Sequence, residues 1–111
     1  MLFPELEEKF AGISSHATVL GYLVLSRSTP VTLIRNSGTI FEGERGRNYA
    51  ASVAKMVDAV QGFLEDVRED GADKDEVKFM RIRSERHEIM ITPHERYVLV
   101  VLHNPSSLNV A

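Results

Sequence analysis

A chain of 111 residues is one domain's worth, since single domains cluster near about 100–150 residues, and with 43% apolar and 26% charged residues it is neither disordered, nor collagen-like, nor a coiled-coil rod. Sixteen acidic residues against thirteen basic give a net charge of −3 and a pI near 5.8, the wrong sign for a general nucleic-acid or anionic-membrane binder. The absence of Cys excludes disulfide scaffolding, thiolate metal sites and Cys nucleophiles.

In chain order, Phe3, Leu6, Phe10 and Ile13 recur at helical spacing behind Pro4, and Glu5, Glu7 and Glu8 lie near the positive helix end; a short amphipathic helix ending near Gly12 is expected. The same acids stand where a signal peptide needs a basic region, so a cytosolic chain is expected. Ala17 to Leu25 is a continuous apolar run, strand-sized and suited to burial on both faces. It is also far shorter than the roughly 18 residues of a membrane span, so membrane insertion is not expected. Ser26 to Pro30 reads as a turn and Val31 to Arg35 as the hairpin partner of the first strand.

Residues 36–47, with three Gly, are expected to form a loop. From Tyr49 to Val67 the residues Tyr49, Val53, Met56, Val57, Val60, Phe63, Leu64 and Val67 fall within an arc of roughly 120° at about 100° per residue, the core-facing stripe of a long helix. Gly71 closes that element in a polar stretch. Three strands follow, Val77 to Ser84, His87 to Thr92 and Tyr97 to His103.

The first and last strands, apolar throughout, belong in the middle of a sheet and the mixed second and third strands at its edges. The expected fold is therefore α+β, α-β-β-α-β-β-β, with a five-stranded antiparallel sheet in the order 2-1-5-4-3, and the whole chain, 1–111, is read as one domain. The third strand is then an edge with apolar groups on both sides, Met80 and Ile82 on one and Val77 and Phe79 on the other beside Arg81 and Arg83. Natural sequences avoid such an edge unless it is paired or covered, and a second copy of the chain would cover it. Arg81, Arg83 and Arg86 would then either meet acidic groups of that copy or form a solvated basic face.

Catalytic patterns are weak. Ser52-Val-Ala-Lys55 matches S-x-x-K, but the companion motifs of that chemistry are missing and both residues flank the core stripe as helix surface. His16, His87, His94 and His103 lack metal-ligand spacing and read as surface or strand-end histidines. Gly43-Glu-Arg-Gly46 follows no strand directly and lacks G-K-[ST], so it reads as plain loop rather than a phosphate cradle. Acidic neighbours such as Glu65 with Asp66 and Glu69 with Asp70 read as solvated charge. No nucleophile, base and oxyanion donor assemble, so no enzyme, metal or cofactor is expected.

Phe79-Met-Arg-Ile-Arg-Ser84, Glu88-Ile-Met-Ile-Thr-Pro93, Tyr97-Val-Leu-Val-Val and Asn104-Pro105 resemble the roadblock family of cytoplasmic and axonemal dynein light chains, with its F-L-R-I-R-S strand, E-I-M-V-x-P strand and turn, and Y-x-L-I-V-x-x-N-P ending. Order and spacing agree over residues 79–105, and the long helix and first two strands fall where the family has them. The resemblance implies a homodimer in which the third strand lies beside its symmetry mate, giving a continuous ten-stranded sheet with the two long helices side by side. Carried over by position, Phe79, Met80, Arg81, Ile82 and Arg83 would lie at the dimer junction, with Met56, Val60 and Phe63 packing the helix near it. It further implies a non-catalytic, cytoplasmic, microtubule-associated light chain that binds the dynein intermediate chain and holds two copies together. The turn Ser26–Pro30, the Gly-rich stretch 36–47 and the segment 68–76 depart from the family pattern. The alternative reading is a roadblock-type scaffold or regulator of a small GTPase.

Overall fold

The computed structural model describes residues 12, 18–28 and 30–104. Continuous apolar sequence makes the two central strands. In β1 (Val19–Ser26), Tyr22, Leu23, Val24 and Leu25 are all buried, and in β5 (Tyr97–His103) so are Val98, Val100, Val101 and Leu102. A strand apolar on consecutive positions loses that surface to water unless both faces are covered and both edges paired. β1 accordingly pairs antiparallel with β2 (Leu33–Ser37) and β5, and β5 in turn with β4 (Glu88–Pro93), which pairs with β3 (Met80–Arg83). The order β2-β1-β5-β4-β3 is the one expected from the sequence.

The helix α1 (Gly43–Asp66) covers one face. Its Ala50, Val53 and Val57 meet Leu23 and Leu25 of β1, Ile91 of β4, and Val98, Val100 and Leu102 of β5 around Phe41. Full burial of each large side chain here stabilises by about 1.5–3 kcal/mol. Across the sheet, Tyr22, Val24 and Val101 form a second buried cluster flanked by Val19, Met90, Tyr97 and Leu99. The helix expected at Phe3–Ile13 falls outside the described residues except for Gly12, which is helical and exposed.

Several boundaries differ from expectation. The stretch 36–47 is not a loop: it holds the end of β2, a 3-10 turn at Thr39–Phe41 and the first turn of α1, which starts at Gly43 rather than Tyr49. Its glycines permit close packing. A Cβ on Gly46 would stand 2.1 Å from the Phe41 carbonyl oxygen, and Gly38, at φ +98°, would carry one 2.3 Å from the Leu20 carbonyl oxygen, so both positions are closed to larger residues. β2 lies two residues later than Val31–Arg35, because the turn after β1 is wide: Ser26 N–H donates to Thr32 C=O at 2.8 Å and Thr32 N–H to Ser26 Oγ at 2.9 Å. A register shift between Val24 and Leu25 then sets Leu33 opposite Leu25. The third strand, expected from Val77, joins the sheet only at Met80. Gly71, φ +79°, lies in a turn beyond the helix end rather than at it.

Candidate functional site

Of the residues expected at a junction between copies, Met80 and Ile82 of β3 face α1, packing with Met56 against the main core, and all three are half-buried. Phe79 and Phe63 are exposed by 53% and 59%. Val60 is half-buried, and Arg81 and Arg83 are exposed. The helix stripe is thus divided. Val53 and Val57, on one side of it, are buried, while Phe63 and Val67, on the other side and near the C-terminal end, remain open to solvent. Large apolar groups left exposed on a helix and beside a sheet edge mark a surface that association can cover.

One side chain sets where that edge begins. Gln61 of α1 donates from Nε2 to the Asp75 carbonyl at 2.6 Å and accepts the Val77 N–H on Oε1 at 3.0 Å. An amide presents donor and acceptor as a backbone does, so Gln61 fastens residues 75–77 to the helix. Val77, held in this way, packs toward the core under α1 and not into the ladder, which explains why the strand starts late. The clamp joins residues 14 and 16 positions apart.

On the face away from α1, β3, β4 and β5 share a charge network. Glu88 and His103 are opposed in the β4–β5 register, and both are buried. Arg81 donates through Nε to Glu88 Oε2 at 2.7 Å and through Nη2 to Oε1 at 3.0 Å. His103 Nε2 lies 2.5 Å from Glu88 Oε1. The Arg81 hydrogen bond holds the Glu88 carboxyl below the usual carboxylate range; burial opposes this and His103 reinforces it. Because an ionised carboxylate only accepts, His103 donates from Nε2, and its buried Nδ1, which has no hydrogen-bond partner, carries a lone pair rather than an orphaned N–H in the neutral ring. His103 is therefore a strand-end residue, as expected, but not a surface one. The network escapes sequence inspection because its members lie 7 and 15 positions apart and meet only through strand register.

The remaining motif residues stay apart. Ser52, Lys55, Glu65, Asp66, Glu69 and Asp70 are exposed, and Gly43–Gly46 is the first turn of α1. Among the described residues no group of three His, Asp or Glu side chains converges, and no helix is long and apolar enough to cross a membrane.

Known structures share this architecture. MglB of Myxococcus xanthus superposes with a TM-score of 0.68 at 14% identity, over 96% of this chain and 80% of that one. An MglB with a tetrameric arrangement gives 0.66 at 14% identity, over 96% and 78%, and the Roadblock/LC7 domain from Streptomyces avermitilis 0.55 at 11% identity, over 85% and 73%. At these identities the likeness speaks for the fold. Family membership rests on the sequence itself: the model of the Roadblock/LC7 domain matches residues 5–103, and the chain belongs to that family.

Proposed function

We propose that this protein is a non-catalytic scaffold or regulator of a small GTPase, acting as a homodimer. The carrying observation is the match to MglB structures along 96% of the chain, which favours this reading over the dynein light chain put first from the sequence. Roadblock-type domains of prokaryotic polarity systems resemble this chain in fold and work on small GTPases. The β3 edge, unpaired among the described residues, with exposed Phe79 beside it, Phe63 on the helix and Val67 at its end, supports self-association, and the tetrameric arrangement of one MglB fits a family that assembles. Met56, Val60, Phe63, Phe79, Met80, Arg81, Ile82 and Arg83 are the residues proposed for the joint. A two-fold dimer presents every partner-binding patch twice, so a second weak contact becomes intramolecular.

The dynein reading keeps one specific support, the Phe79–Ser84 and Glu88–Pro93 wording shared with light chains, and with it a cytoplasmic, microtubule-associated location and an intermediate-chain partner. Affinity purification from the native cell separates the two. A small GTPase whose retention changes between GDP and a non-hydrolysable GTP analogue supports the first; a dynein intermediate chain overturns it in favour of the second. Light scattering at micromolar concentration tests the dimer, and a monomer mass rejects it.

A further inference from the structure

On α1, Arg47, Ala51, Ala54 and Asp58 follow one another at intervals of four, three and four residues and so form one row along the helix. The row borders the stretch that enters β2. Because its two middle members are alanines, space is left between the helix and that stretch, and two adjoining hollows occupy it. One, of about 440 Å³, is lined by Val31, Thr32, Leu33, Arg47, Ala50 and Ala51. The other, of about 200 Å³, lies against Val31, Ala54, Asp58 and the turn residues Ser26, Arg27 and Ser28. Val31 borders both, so together they make one trough, with Val31, Ala51 and Ala54 at its middle, Arg47 at one end and Asp58 toward the other.

Arg47 and Asp58 are both exposed, and neither has an ion-pair partner among the described residues. Arg27, the other charge on the trough, donates through Nη1 to the His94 carbonyl at 2.7 Å. From Arg47 to Asp58 the helix rises about 16 Å. The trough thus offers a cation and an anion at a fixed separation, with apolar surface between them. Val31 adds a backbone contact. It is 42% exposed, precedes β2, and its N–H and C=O have no hydrogen-bond partner among the described residues. Room is limited, because one turn of α-helix, about 10 Å across and 5.4 Å long, fills roughly 420 Å³, which is twice the smaller hollow.

From this combination we infer that the trough seats an extended segment of a partner protein, in which an acidic residue and a Lys or Arg stand four positions apart with an apolar residue midway. Alternate side chains of an extended chain share a face, so all three enter the trough together. Four residues span about 13 Å, and the long basic side chain covers the remainder. The acid pairs with Arg47, the apolar residue packs on Val31, Ala51 and Ala54, and the base pairs with Asp58. The segment's backbone exchanges two hydrogen bonds with Val31. Since Val31 stands ahead of β2, this contact adds one residue pair and not a sixth strand. The inference deepens the scaffold reading by giving the chemistry of a docking segment, and rests on that reading only for the identity of the protein that carries it.

NMR titration of the unaltered chain with a capped peptide, Ser-Thr-Glu-Thr-Val-Thr-Lys-Thr-Ser, tests this, beside the same peptide with Gln in place of both Glu and Lys. Saturable amide shifts centred on Val31, Ala51 and Ala54 are expected, with affinity about fivefold higher than for the neutral peptide. Arg47→Glu should weaken the charged peptide by about fivefold, and a peptide with Lys in place of its Glu should regain that loss on the variant. Ala51→Leu, at an exposed helix position, should fill the trough and abolish the Val31 shift while circular dichroism stays unchanged. Equal affinity of the neutral peptide, binding indifferent to Ala51→Leu, shifts centred elsewhere, or no shift at millimolar peptide each overturn the inference. Helical contacts within the bound peptide would overturn the extended form. None of these measurements needs a second copy or a GTPase, so their failure leaves the scaffold reading to its own test by affinity purification.

Discussion

Among the described residues β2 and β3 each lack a neighbour on one side, and they are defended unequally. β2 follows Pro30, carries a register irregularity against β1, and commits its polar side chains inward: Arg35 Nε donates to the Tyr22 hydroxyl at 2.9 Å and Asn36 Nδ2 to the Phe41 carbonyl at 2.7 Å. Proline, irregular pairing and a charged side chain are the devices by which natural sheets discourage further strands. β3 pairs with β4 in unbroken register from Met80 to Arg83, follows no proline, and adjoins exposed Phe79. An apolar residue is exposed at each edge, Ile34 by 45% and Phe79 by 53%, so exposed hydrophobicity does not separate them. Backbone regularity does, and it makes β3 the end of the sheet proposed for assembly.

The sharpest way to break this contrast is a charge at β3. Ile82→Asp sets a carboxylate against the core and the joint, and is expected to abolish the dimer and cost about 3–5 kcal/mol; Phe79→Asp, at a more exposed position, should yield a folded monomer by light scattering and circular dichroism. A dimer surviving both would give β3 no special standing. Next in size, Gln61→Ala frees residues 75–77 and leaves the half-buried Val77 N–H without its partner, for an expected loss of about 1–3 kcal/mol in urea unfolding.

A third expectation concerns acid. The folded-state pKa of Glu88 lies below its ordinary value, chiefly through Arg81, so its contribution to stability is fully present above the unfolded carboxylate range and is lost as pH falls through the lowered folded value. Stability measured against pH should therefore decline on the acid limb, and Glu88→Gln should flatten that limb; an unchanged limb would remove Glu88 from the account. The smallest effect is expected at β2, where Ile34→Asp should leave the mass a dimer's and shift stability by no more than about 0.5 kcal/mol. Loss of the dimer there would erase the difference between the edges.

How much of this the sequence discloses depends on the range of the interaction. The strand order follows from β1 and β5 being apolar at consecutive positions, a local pattern that demands central placement. The edge character of β3 follows from the same reasoning, whereas the junction residues come only from the family resemblance. The start of α1 is hidden because glycine permits both turns and close contact; only the packed structure reveals that Gly46 is shaped by Phe41. The late start of β3 is hidden in Gln61, an unremarkable polar residue on a helix whose role depends on a segment returning alongside it. The Arg81–Glu88–His103 network needs the β3–β4 and β4–β5 registers together, which no local spacing encodes.

The same Gln61 amide has a bearing on how this chain can vary in length. Residues 75–77 are fastened to α1, so the stretch between the helix end and Asp75 is mechanically isolated from the sheet. Segments added or removed around residues 69–73 would lengthen or shorten a surface excursion while β3 kept its position. One residue inserted between Val77 and Met80, by contrast, would have no slack to absorb it and would exchange the two faces of the strand, turning Arg81 toward the helix. Tolerance to insertion should therefore change abruptly at Asp75, within a stretch that by composition alone looks uniformly permissive.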